Sequence, residues 1–174
     1  MYFRNFPKVL VSPSDDRFPI MMTDTTRRVR FLDFVRNNYV VFDFYDVKDG
    51  ETPEYIAHEY YGDSNLHWII LLSNNIVDIY TDWPKRIADF EQYVKQKYDD
   101  PNGTHHWEIP QESGDTTQMI EIPNESANTI PVDAIKITNI EYEEQLDNQR
   151  RRIRLVQPRF VTQIKNEFID KIRR

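Results

Sequence analysis

The sequence predicts an α+β fold, and three observations carry that prediction. Residues 40–45, 119–122 and 135–140 are short runs of β-branched, aromatic or alternating residues, which read as strands. Helix start and stop signals bracket residues 53–61 and 64–73. Residues 86–98 and 158–172 repeat apolar positions at a helical period.

Taken in order, residues 2–11 end in Val9, Leu10 and Val11 ahead of a Ser-Pro-Ser-Asp-Asp loop, predicting a short strand or an extended arm. Residues 27–46 are rich in Val, Phe and Tyr, and Arg36-Asn37-Asn38 interrupts them, predicting a hairpin with its turn there. Asp49-Gly50 is a turn signal. Thr52 can accept hydrogen bonds from the orphan N–H groups of a helix start, Pro53 loses nothing at the first helical position, and Glu54 suits the positive helix end. Gly62 is the left-handed residue that ends this helix, and Asp63-Ser64 offers a second cap. Leu66, Ile69 and Ile70 give the second helix its apolar face, and Asn74-Asn75 ends it.

A third helix, over 86–98, presents Ile87, Phe90, Tyr93 and Val94 on one side. Residues 99–116 are polar and turn-rich, predicting a mobile loop or insertion with a short strand at 105–109. Strands follow at 119–122 and 135–140. Residues 150–156 predict a further strand, paired with the preceding one across a turn at Asp147-Asn148. Pro158 opens a terminal helix whose stripe of Phe160, Val161, Ile164, Phe168, Ile169 and Ile172 has the clearest helical period in the chain.

Composition excludes several classes of function. The 174 residues hold no cysteine, so disulfides, thiolate catalysis and cysteine-ligated zinc are excluded. Ten Tyr, ten Phe and three Trp offset a modest apolar content of 39%, because each ring can bury about 150–250 Å². The longest apolar run is the five residues 68–72, far from a membrane span, and the N-terminus is too polar for a signal peptide. A cytoplasm-like compartment is expected. The net charge of −7 is uneven: residues 150–174 carry nine basic and two acidic groups, a basic arm on an acidic body.

No motif organises catalysis. His58, His67, His105 and His106 lack metal-binding helical spacing, and His105 and His106, being adjacent on a strand, are expected to point to opposite faces and so not to bind one ion together. No serine sits in a nucleophile-elbow setting and no glycine-rich loop could cradle a phosphate. The acids fall mostly at turns and caps. No enzyme, cofactor or metal is expected. On a strand Arg150, Arg152 and Arg154 would share one face; with the chain acidic overall, pairing with protein carboxylates is favoured over nucleic-acid binding.

The segment Tyr45-Asp46-Val47-Lys48-Asp49-Gly50-Glu51-Thr52-Pro53-Glu54-Tyr55-Ile56-Ala57, followed by Tyr60-Tyr61-Gly62-Asp63, Trp68-Ile69-Ile70 and Asn74-Asn75-Ile76, resembles a LysM module. With Phe6-Pro7-Lys8-Val9, His67-Trp68, Asp82-Trp83-Pro84 and the ending from Tyr142-Glu143 to Arg150, Arg152 and Ile153, the chain resembles the baseplate wedge protein 53 family of T-even-like contractile-tailed bacteriophages. The resemblance implies a structural subunit of the virion tail baseplate, assembled in the host cytoplasm, which docks onto other wedge proteins and helps to join wedges. From the acidic net charge and the short apolar runs, no nucleic-acid or membrane partner is expected. Four segments follow: an N-terminal arm and hairpin (1–38), a LysM-like βααβ unit (39–84), a helix and mobile loop (85–116), and C-terminal strands with an amphipathic helix (117–174).

LysM modules ordinarily bind glycans, and the alternative expectation is a module for peptidoglycan or chitin. Three departures weigh against it: a single copy, Pro53 in place of the usual leucine, and no closing strand directly after Asn75. Phe3, Phe6, Val9, Arg150, Arg152, Phe160, Ile164, Phe168 and Ile172 are the expected partner-binding residues.

Overall fold

A computed structural model of the chain describes residues 2–12, 18–31, 39–111, 118–123 and 130–173. The fold is α+β. Its strands are β1 (Lys8–Val11), β2 (Ile20–Thr23), β3 (Phe42–Asp46), β4 (Thr104–Pro110), β5 (Met119–Pro123), β6 (Ile135–Thr138) and β7 (Arg152–Val156). Its helices are α1 (Pro53–Tyr61), α2 (His67–Ser73), the single turn α3 (Ile79–Asp82), α4 (Ile87–Lys97), α5 (Asn139–Arg151) and α6 (Pro158–Arg173). The predicted turn at 36–38 lies outside the described residues, but residues 27–31 form no strand and β3 pairs with β7, so the described part does not make the expected hairpin. Two compact units divide the chain: Met1–Trp83 with Arg152–Arg174, and Pro84–Arg151. The expected C-terminal segment 117–174 is thus shared between them.

In the first unit, α1 and α2 form where their capping chemistry places them. The Thr52 hydroxyl accepts from the Tyr55 N–H at 3.3 Å, and Pro53 occupies the first helical position. Gly62 stops α1 at φ 75°, donating its N–H to the His58 carbonyl at 2.9 Å. The Asp63 carboxylate accepts from the Asn65 N–H at 2.9 Å and starts a 3₁₀ turn (Ser64–Leu66) that runs into α2. Asn75 reverses the chain in the left-handed region at φ 57°.

The strand that completes this unit comes late in the sequence. β3 pairs antiparallel with β7, from Phe42 opposite Val156 to Asp46 opposite Arg152. The helix pair therefore does have a closing strand, but Pro84–Arg151 is inserted before it. This corrects the expectation that residues 150–156 pair with 135–140. Residues 139–151 are helical instead, and Thr138 and Glu141 form a capping box at their start. The Glu141 carboxylate accepts from the Thr138 N–H at 2.8 Å and the Glu141 N–H reaches the Thr138 hydroxyl at 3.4 Å. Glu, Gln and Leu dominate the next turns and favour helix.

Two apolar clusters hold the unit. One gathers Phe6, Phe42, Trp68, Ile69, Val156, Phe168 and Ile172; the other gathers Val47, Ile56, Ala57, Ile70, Trp83, Ile153 and Leu155. β7 supplies residues to both because its successive side chains point to opposite faces. Its outer edge is satisfied by a side chain. The Asn74 amide donates to the Arg154 carbonyl at 2.9 Å, and its oxygen accepts from the Arg154 N–H at 2.8 Å. Asn74 acts as one residue of an extra strand. Replacing it with Ala removes both bonds, although the Arg154 carbonyl still accepts from the Ser73 hydroxyl at 3.1 Å, and is expected to cost about 1–2 kcal/mol in chemical denaturation. Asn74→Asp, which keeps the acceptor alone, should recover only part of that loss.

The second unit is a three-stranded antiparallel sheet, in the order β5-β4-β6, with α4 and α5. Residues 104–110 are the sheet's central strand, which matches the short strand expected at 105–109 and extends it by one residue at each end. Thr104 and His106 face consecutive residues of β6, Thr138 and Ile137, so His105 is an extra residue that bulges β4.

Candidate functional site

The β1–β2 hairpin is apolar on both faces. Lys8 to Val11 pairs with Thr23 to Ile20, and Leu10 stands directly opposite Met21. Val9, Leu10, Val11, Ile20, Met21 and Met22 are all exposed, Leu10 at 65% and Met21 at 62%. A strand covered on one face alternates between apolar and polar residues, whereas this one carries apolar residues on both. Among the described residues β1 and β2 form a sheet of their own, so both outer edges are open as well. Two-stranded hairpins of this kind are marginal in water by themselves.

The expected partner-binding residues separate into three groups. Phe3 and Val9 are exposed. Phe6, Phe168 and Ile172 are buried, with Trp68 packed on Phe168 at 4.5 Å between ring centroids and Phe6 at 6.3 Å from it. Phe160 and Ile164 are partly buried against the same cluster. The apolar stripe of α6 is thus largely core, anchored further by the Arg27 guanidinium, which donates to the Ile172 carbonyl at 3.2 Å. The expected arginine stripe does not form, because Arg150 lies in α5 while Arg152 and Arg154 lie in β7. Arg152 is opposite Asp46 and places its guanidinium over the Phe44 ring at 5.2 Å. Sequence reading missed β2, whose Ile-Met-Met run is too short to show a period.

The surface beside α1 holds a shallow cleft of about 170 Å³ lined by Tyr45, Glu51, Tyr55, Glu59 and Tyr60. That is below the roughly 300–1,000 Å³ of ordinary ligand pockets. Three of its polar side chains, Tyr45, Glu51 and Tyr60, are engaged within the chain. The Tyr45 hydroxyl donates to both Glu51 oxygens at 2.8 and 2.9 Å, and Tyr60 donates to Asp43. Partial burial first, and then these carboxylates, push both phenols up to about 12, so they remain donors at neutral pH.

The second unit is organised by buried charge. Glu143 of α5 is fully enclosed and accepts from Lys97 at 2.6 Å, Tyr98 at 2.8 Å and Tyr93 at 3.1 Å. Burial alone would raise its pKa, but the three donors outweigh burial and hold it below the ordinary value. Asp147, one turn further on, accepts from the Lys85 N–H and the Arg151 guanidinium, both at 2.8 Å.

At the β4 bulge the two adjacent histidines come together rather than facing apart. Their Nδ1 atoms are 2.8 Å from each other, and His105 stacks on Tyr142 at 3.8 Å. One ring nitrogen of each, with a Glu121 carboxylate oxygen, lies within 4.8 Å of the others. This corrects the expectation of opposite faces: the extra residue at position 105 re-aims its ring.

No helix among the described residues is long and apolar enough to cross a membrane. No curated protein matches the chain. A family model described as base plate wedge protein 53 matches residues 17–132 of the 174.

Proposed function

Because this chain belongs to the base plate wedge protein 53 family, a structural component of the phage tail baseplate, we propose that it docks onto neighbouring wedge proteins through its β1–β2 hairpin and helps to join wedges. The carrying observation is the hairpin, apolar on both faces and exposed in the isolated chain. Exposed apolar area in one contiguous element is what an assembly interface buries. The open strand edges add a second mode of contact, main-chain pairing with a partner strand. Assembly takes place in the host cytoplasm, and the chain works by binding, without catalytic chemistry.

We read the β3-α1-α2-β7 unit as LysM-like. It has the two-helix corner, the antiparallel strand pair and the Asn-x-Ile turn, with the second unit inserted before its last strand. Its role is a scaffold for protein docking. Glu51 and Asn74, which border the groove where a glycan would lie, already bond within the chain, which favours docking over carbohydrate binding.

The double variant Leu10→Lys/Met21→Glu, which sets opposite charges on this directly opposed pair, tests the docking proposal. Both side chains are exposed, so thermal stability should stay within about 0.5 kcal/mol of the parent. Each Leu or Met buried at an interface contributes about 1.5–3 kcal/mol, so affinity for the other wedge components should fall by roughly a hundredfold or more. Unchanged co-assembly of a folded double variant would refute docking through the hairpin. Saturable retention of the parent chain on peptidoglycan, reversed by chitin oligomers, would refute the scaffold reading.

A further inference from the structure

The bulge in β4 does more than bend a strand. It places His105 Nδ1 beside His106 Nδ1 at 2.8 Å, with the Glu121 carboxylate close to both. Imidazole nitrogens and a carboxylate are the donor set of zinc and related transition-metal ions. Tetrahedral zinc with Zn–N near 2.0–2.1 Å separates two nitrogens by about 3.3 Å, so the rings need part by only about half an ångström. His105 is only partly buried and Glu121 lies at the surface, leaving a path for an ion to enter.

Two further features suit a metal, and the second is poorly explained without one. His106 is 3% exposed, and its other ring nitrogen, Nε2, lies 3.3 Å from a Glu108 carboxylate oxygen. A carboxylate behind a ligating histidine fixes the tautomer that leaves the metal-facing nitrogen free to bind. Glu108 also stands directly opposite Glu121 on the neighbouring strand. Like charges in directly opposed positions destabilise a sheet, and a cation between or beside them removes that cost. The alternative is a plain hydrogen bond between the two histidines. That bond accounts for the two Nδ1 atoms but leaves the opposed carboxylates unexplained.

We propose that His105, His106 and Glu121 bind one divalent transition-metal ion, with Zn²⁺ the best fit, and that Glu108 orients His106 for it. Three protein ligands leave a fourth position for water or for a partner's side chain. The ion would clamp β5 to the bulged end of β4 and so stiffen the inserted unit.

The test uses the full chain, stripped with a chelator and titrated with Zn²⁺ by calorimetry and with Co²⁺ by visible absorption. One ion per chain is expected, together with d–d absorption from bound Co²⁺ and a higher Tm in Zn²⁺. Glu121→Gln and Glu108→Gln should each weaken Zn²⁺ binding by about tenfold to a hundredfold. His105→Asn should remove the Co²⁺ bands. Glu121 is exposed and its variant removes one of the two opposed charges, so it should melt no lower than the parent when metal-free. His67→Asn, which alters a histidine remote from the bulge in sequence and in the other unit, should leave affinity unchanged. Zn²⁺ binding that is equal in the parent and in folded Glu121→Gln and His105→Asn chains, or no binding by the parent, would overturn the proposal.

Discussion

Replacing Glu143 with alanine should destabilise the inserted unit by about 3 kcal/mol. The carboxylate is buried and is the shared acceptor of Lys97, Tyr98 and Tyr93, so its removal strands three donors at once. Lys97 keeps 44% of its side chain exposed and can be rehydrated, which keeps the cost near the lower limit for breaking a buried pair. Glu143→Gln should cost less, since an amide oxygen still accepts. The pH dependence has a definite sign. Glu143 is held below its ordinary value of 4.5, so its contribution is present above that pH and is lost as pH falls through the depressed folded value. Lys97 is raised, chiefly by its bond to Glu143, so its contribution is complete below 10.5 and is lost as pH rises through the raised value. Urea midpoints measured across pH should show the acid-side loss in the parent and a smaller one in Glu143→Gln.

Trp68→Ala should cost more, about 3–5 kcal/mol, because a large buried ring leaves a cavity that its neighbours fill only in part. Trp68 joins α2, to which it belongs, to α6: its ring packs on Phe168, which in turn meets Phe6. The loss should therefore concentrate at the chain termini. Limited proteolysis of the variant should cut within α6 before it cuts α1. A uniform loss of protection over α1, α2 and α6 would show that the ring supports the whole unit rather than the docking of its last helix.

Legibility in the sequence followed the range of the interactions concerned. α1 and α2 could be read because Thr52, Pro53, Gly62, Asp63 and Asn75 act within a few residues of themselves. The α6 stripe was equally clear as a period, although a period says only that one side is covered. Whether a partner or the chain's own core covers it depended on Trp68 and Phe6, distant in sequence. β7 was read as a strand but given the wrong neighbour, since its true partner β3 lies more than a hundred residues earlier. The local signal against the expected 135–156 hairpin was the Thr138/Glu141 capping box, which the alternation of residues 135–140 obscured.

The histidine pair failed for a different reason. Side-chain alternation along β4 was sound, but one inserted residue shifts it, and no residue type in Thr-His-His-Trp marks a bulge. For the proposed docking surface, Val9 and Phe3 are legible in the sequence as part of the arm, while Ile20, Met21 and Met22 are not. The pairing of β1 with β2 is what makes them one surface.

Oxidative footprinting of Met21 and Met22, in the free chain and in assembled wedges, tests the central claim most directly. Both thioethers are exposed in the free chain and should label readily there. In the assembled wedge their labelling should fall by roughly tenfold or more, while that of the buried Trp68 stays low in both states. Equal labelling of Met21 and Met22 before and after assembly would contradict the account.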